Sequence, residues 1–128
     1  FEFDAWEIFD DTIPFLKELK RKGFKIIITS NFDSRIFKVC DGLGISPYID
    51  HFTISSQSGC AKPDKDFFLK SLNDSGSDIK NTIHIGDNPE LDYSACEKIG
   101  LKAFLIDRDE KINGDYVINS LSSVLGKI

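Results

Sequence analysis

The sequence predicts an α/β fold: a three-layer, Rossmann-like parallel sheet with helices on both faces. Two observations carry this. Short apolar runs alternate along the whole chain with amphipathic segments of about ten residues, the pattern of βαβ units. The runs themselves, such as "FKIII" at 24–28 and "KAFLI" at 102–106, lack polar alternation. Strands of that kind are covered on both sides, as in a parallel sheet.

The elements follow in order. Asp11 or Thr12 can cap a first helix that carries Pro14 early, where proline is tolerated, and places Ile13, Leu16 and Leu19 on one face. Gly23 closes it before the strand at 24–28. Asp33 or Ser34 can cap a second helix with Ile36, Phe37, Cys40 and Leu43 inward and Gly44 after it. "HFTIS" at 51–55 is a short strand. A helix opens after Pro63 with Phe67, Phe68 and Leu72 as its apolar face. "TIHI" at 82–85 is the next strand, and residues 90–99 the next helix, stopped by Gly100. The strand at 102–106 and a shorter one at 116–118 follow, and Asn119 can cap a last helix with Leu121, Val124 and Leu125 inward. No repeat, low-complexity tract or linker interrupts residues 1–128, which read as one domain.

Composition narrows the function classes. The apolar share of 41% and the eleven phenylalanines can build a core. A net charge of −5 with scattered basic residues argues against nucleic acid as a partner, since phosphate backbones call for a basic face. No apolar run approaches the ~20 residues of a membrane span, so no membrane is expected. Cys40, Cys60 and Cys96 are odd in number and widely spaced, which favours reduced thiols and an intracellular, reducing compartment, cytoplasmic or organellar.

In open α/β sheets ligands sit at the carboxyl ends of the strands. After the strand at 24–28 comes Thr29-Ser30-Asn31; a glycine-containing loop leads to Lys62; after 82–85 comes Gly86-Asp87-Asn88 and then Asp92. A hydroxyl and backbone amides can hold phosphate oxygens and a lysine can offset their charge. Carboxylates suit Mg²⁺, which takes one or two of them and keeps several waters.

These stretches resemble the motifs of the haloacid dehalogenase (HAD) superfamily, mostly phosphoryl-transfer hydrolases. "KIIITSNFD" is similar to the second motif, "SGCAKPDKDFF" to the third and "IHIGDNPELDYSACEKIGLKAFLI" to the fourth. The resemblance runs from about Trp6 to the C-terminus and identifies the chain as a HAD-like core. It implies that Ser30 hydrogen-bonds the phosphoryl group with help from the backbone near Asn31. Lys62 would neutralise that group and orient the nucleophile. Asp87, with Asn88 beside it, would hold Mg²⁺, and Asp92 would support the metal shell or pair with Lys62. It also implies a small phosphorylated metabolite as substrate, hydrolysed through an aspartyl-phosphate.

The superfamily's first motif, an apolar strand ending in Asp-x-Asp, has no match before Thr12. In the resembling fold that strand lies mid-sheet, between those carrying Ser30 and Asp87. The expectation is therefore that the central strand is absent from this chain. The nucleophile and a cap domain would precede Phe1 in the parent protein, and this chain alone would be inactive. Asp4 in "FEFDAW" is a weak substitute, since Trp6 stands where the second acid belongs. Asp107 and Asp109 follow the fourth motif and come too late, and Asp64 and Asp66 suit a helix start. His84, mid-strand, reads as buried and hydrogen-bonded, and no basic cluster marks Cys60 as reactive. The haloacid dehalogenases themselves are an alternative within the enzyme class. From another class, the rival is a non-catalytic HAD-like subunit serving a larger assembly. The missing first motif favours that rival; the set Ser30, Lys62 and Asp87 argues against it.

Overall fold

A computed structural model of the chain describes the backbone of Glu2 and Phe3 and the whole of residues 11–31 and 34–127. Its strands are β1 (Glu2–Phe3), β2 (Ile27–Ser30), β3 (His51–Ile54), β4 (Ile83–Gly86), β5 (Lys102–Ile106) and β6 (Val117–Ile118). Its α-helices are α1 (Thr12–Arg21), α2 (Arg35–Leu43), α3 (Ser55–Ser58), α4 (Lys65–Asp74) and α5 (Ala95–Lys98). The strands form one sheet in the order β3-β2-β1-β4-β5-β6, and every pairing is parallel.

The expectation of an absent central strand is corrected. β1 lies between β2 and β4, with Glu2 opposite Ile27 on one side and His84 on the other. The reason is the backbone: β2 and β4 would otherwise bury unpaired N–H and C=O groups along two central edges. Asp4, next in the sequence, lies outside the described residues, as do Trp6 and Asp33.

The two faces of the sheet differ. On one, α1 contributes Phe15, Leu16 and Leu19, and α2 contributes Ile36 and Cys40. They meet Ile28 of β2, Ile85 of β4 and Phe104 of β5 in a continuous apolar cluster, with Leu121 and Val124 from the C-terminal segment closing it. The other face is covered by α4 and α5, where Phe68, Ala95, Cys96 and Leu101 form a smaller cluster. Burial lifts the Cys40 thiol to about 11, with the Asp41 charge adding to it, so this thiol stays protonated. All three cysteines are unbridged.

Several boundaries differ from the sequence reading. β2 begins at Ile27 because the preceding N–H groups go elsewhere: Phe24 N–H to the Leu19 carbonyl at the end of α1, and Ile26 N–H to Asp50 Oδ2. Asp11 makes no side-chain cap for α1. Its carboxylate instead accepts from Arg108 and from Leu121 N–H, tying the start of α1 to the C-terminal segment. Asn119 likewise caps nothing: its amide donates to the Asp107 carbonyl, and Leu121–Gly126 is a 3₁₀ turn. Asp64 does cap α4, accepting from Asp66 N–H.

Candidate functional site at the carboxyl ends of the strands

β2 ends in Ser30, whose Oγ is buried and meets no hydrogen-bond partner among the described residues; the same holds for Thr29 Oγ1. A buried orphan hydroxyl is costly unless something else accepts or donates there. Asn31 follows, and its side chain reaches across to the loop before α4. Asn31 Nδ2 donates to the Lys62 carbonyl at 3.0 Å and Oδ1 accepts from Lys62 N–H at 2.8 Å. This reciprocal pair fixes the backbone of Lys62, which precedes a cis peptide bond to Pro63.

The Lys62 side chain is 1% exposed and ends on Asp92, Nζ to Oδ1 at 2.9 Å, with Asp92 equally buried. His84 Nε2 meets the same oxygen at 2.9 Å. The other carboxylate oxygen accepts from Asn88 N–H at 3.1 Å. Burial pushes the Asp92 carboxyl up. The hydrogen bond and electrostatic pull of His84, and after them those of Lys62, outweigh it and hold the group well below the usual carboxylate range. Asp92 is therefore ionised.

Gly86 explains how the carboxylate gets so close to the strand. A Cβ there would lie 2.1 Å from Asp92 Cγ, so only glycine leaves room. Beyond it, Asn88 caps a π-helical turn, Pro89–Ser94, its Oδ1 accepting from Glu90 N–H and Leu91 N–H at 2.9 Å each. That commits both lone pairs of Oδ1 to the backbone. In this structure the Asn88 side chain thus serves as the cap of the turn. Asp87 sits exposed between the strand end and the cap. Among the described residues no group of three His, Cys, Asp or Glu side chains is arranged to hold a metal.

The structure thus joins Lys62, Asp92, His84, Asn31 and Asn88 by direct contacts, with Ser30 and Asp87 placed by their strand ends. Asp107, the strand-end acid after β5, instead caps its own loop, accepting from Lys111 N–H and Ile112 N–H at 2.7 Å each. The cap role of Asn88 was not read from the sequence. The signal was present: asparagine followed directly by proline is an N-cap followed by a favoured first helical residue. The Asn31–Lys62 clamp gave no comparable signal.

A parallel sheet whose carboxyl edge gathers a strand-end hydroxyl, a buried lysine–carboxylate pair and an exposed acid defines an α/β protein with its polar side chains collected at that edge. A model of the haloacid dehalogenase-like hydrolases matches residues 1–100, and the chain belongs to that family. The mouse haloacid dehalogenase-like hydrolase domain-containing protein 3 is 27% identical over 129 residues, covering 94% of this chain and 51% of the relative. A HAD phosphatase from Thermococcus onnurineus superposes with a TM-score of 0.88 at 22% identity, covering 94% of this chain and 58% of that one. The HAD-hydrolase YfnB from Bacillus subtilis, in a magnesium-bound structure, superposes with a TM-score of 0.85 at 23% identity, covering 94% and 55%. The chain spans about half the length of the curated relative it matches.

Proposed function

We propose that the protein carrying this chain is a Mg²⁺-dependent phosphatase of a small phosphorylated metabolite. The observation that carries this reading is the buried Lys62–Asp92 pair, 2.9 Å apart, tied through Asn31 to the strand end bearing the orphan hydroxyl of Ser30. A fixed ammonium on a loop clamped to the strand end that carries an unsatisfied hydroxyl suits a phosphoryl group, whose oxygens accept from both. Asn31 has its side chain on Lys62, so its contribution to phosphate is a backbone N–H.

The residues present fit a magnesium ion of the sparse kind. Asp87 offers one exposed hard-oxygen ligand at the strand end, and Mg²⁺ commonly takes one or two carboxylates and completes its shell with water. Asp92 is not a ligand, since Lys62, His84 and Asn88 N–H occupy it. When bound, the ion supplies positive charge against the phosphoryl oxygens. Ser30 and Lys62 orient that group, and Asp92 holds Lys62 charged.

The nucleophile is proposed to be an aspartate of an Asp-x-Asp strand outside this chain, one that would take in the full-length protein the central place that Glu2–Phe3 holds here. The central position of β1, just before Asp4, makes Asp4 the competing candidate. In the full-length protein, Asp4→Asn is expected to leave turnover of a generic aryl phosphate unchanged; abolished turnover would assign attack to Asp4. Asp87→Asn is expected to cut Mg²⁺-dependent turnover at least about a hundredfold with the melting temperature kept, and normal turnover would remove Asp87 from the site. The non-catalytic reading would be favoured by phosphate binding with no hydrolysis of any phosphomonoester in the full-length protein.

A further inference from the structure

His84 is the buried ionisable group that the proposed reaction does not use. It lies in the middle of β4, fully buried, with the ring of Phe68 from α4 edge-on at 5.4 Å. Ile83 and Ile85 on either side point to the opposite face, into the apolar cluster under α1 and α2, so His84 alone of the three faces α4. Its contact explains its presence. Nε2 meets Asp92 Oδ1 at 2.9 Å, and Lys62 Nζ meets the same oxygen at the same distance.

Sharing one oxygen has a chemical consequence. An ionised carboxylate only accepts hydrogen bonds, so Nε2 must carry the hydrogen. Each donor on Oδ1 draws on the same negative charge. The more of it His84 takes, the less remains to neutralise the Lys62 ammonium, and the more of that ammonium's field is left for an anion at the rim. The absence of a side chain at Gly86 and the Asn88 N–H on Oδ2 fix the carboxylate so that both donors reach Oδ1 together.

We propose that His84 is a positioning residue: by sharing Asp92 Oδ1 it sets how strongly Lys62 is held and how much positive charge the lysine presents to a phosphate. The charge-presenting step rests on the phosphatase reading; the sharing of Oδ1 does not.

The test compares His84→Leu, which fills the space without a donor, with His84→Gln, whose amide N–H falls near the position of Nε2. In the full-length protein with ¹³Cε-labelled lysine, the Lys62 signal is followed by NMR against pH. His84→Leu is expected to raise the Lys62 titration midpoint by at least about half a unit, and His84→Gln to keep it near the wild-type position. The inhibition constant of inorganic phosphate is expected to weaken roughly fivefold in His84→Leu and to return in His84→Gln. Imidazole ¹⁵N shifts give an independent readout should His84→Leu fail to fold: hydrogen on Nε2 in the wild type supports the proposal, and hydrogen on Nδ1 alone overturns it. An unmoved Lys62 midpoint in His84→Leu, or equal shifts in both variants, also overturns it. A shifted midpoint in a protein that binds no phosphate would keep the positioning role and refute the phosphatase reading instead.

Discussion

The two faces of the sheet are built on different principles. Under α1 and α2 the buried residues are apolar almost throughout: Phe15, Leu16, Leu19, Ile28, Ile36, Ile85 and Phe104 pack as one cluster. Under α4 and α5 the apolar cluster is small, and polar groups are buried beside it. Thr53 Oγ1 donates to Ser71 Oγ of α4 at 2.9 Å, and His84, Asp92 and Lys62 form the charged set. The first face stabilises by excluding water. The second holds charges whose burial is tolerable only because each has a partner. Substitutions should therefore separate the faces: one side changes stability alone, the other changes stability and chemistry together.

The largest expected effect is on the polar face. Asp92→Ala leaves a buried ammonium without its counter-ion and removes the acceptor of His84. Breaking a buried pair from one side costs about 3–5 kcal/mol, so the urea midpoint should drop steeply, and under the proposed phosphatase reading turnover should vanish even in conditions where the variant is folded. A stable, active Asp92→Ala protein would mean that the pair is not what holds Lys62. On the apolar face, Leu16→Ala is expected to cost about 2–4 kcal/mol through lost burial and a residual cavity. Turnover per folded molecule should be unchanged, as judged by activity normalised to the folded fraction. A change in KM or kcat there would couple the apolar face to the site and break the contrast.

The same contrast explains what could be read from the sequence. The apolar face follows periodicity: Leu16, Leu19, Ile36 and Cys40 were placed correctly because burial there obeys the 3.6-residue repeat. Element types and order came from the same signal, together with the runs at Ile28, Ile85 and Phe104. The central position was misjudged because β1 is only two residues long, too short to show any period. Boundaries shifted where a side chain captured a backbone group, as Asp50 does with Ile26 N–H and Asp11 with Leu121 N–H. Pairings across 30 residues such as Lys62–Asp92 leave no trace in local pattern. The Lys62–Asp92 pairing was reached only through the resemblance of the motifs that carry the two residues. The asparagines were harder still. Asn88 was expected beside a ligand and its side chain caps the turn; Asn31 was expected to offer its backbone to phosphate and its side chain clamps Lys62. An amide side chain serves either purpose with the same atoms, and residue type alone does not discriminate.

The smallest effect is the acid dependence of the charged set, and its sign follows from Asp92. The folded-state carboxyl is held below its ordinary value of about 3.9 by His84 and Lys62, against burial. A depressed carboxyl contributes stability that is fully present above the unfolded pKa and is lost as pH falls through that value towards the folded one. Between pH 7 and about 5 the contribution should be flat; below about 4 it should decline. Asp11 and Asp50, also depressed, titrate in the same direction, so wild-type acid sensitivity alone does not isolate Asp92. Both remain in the variant Asp92→Asn, which makes the difference between the two proteins specific. Urea midpoints at pH 7, 5, 4 and 3 should show the stability gap between wild type and Asp92→Asn constant over the first interval and narrowing over the last. A gap that stays constant down to pH 3 would mean that Asp92 is not protonating in the unfolded chain alone over this range, and that its partners do not act through its charge.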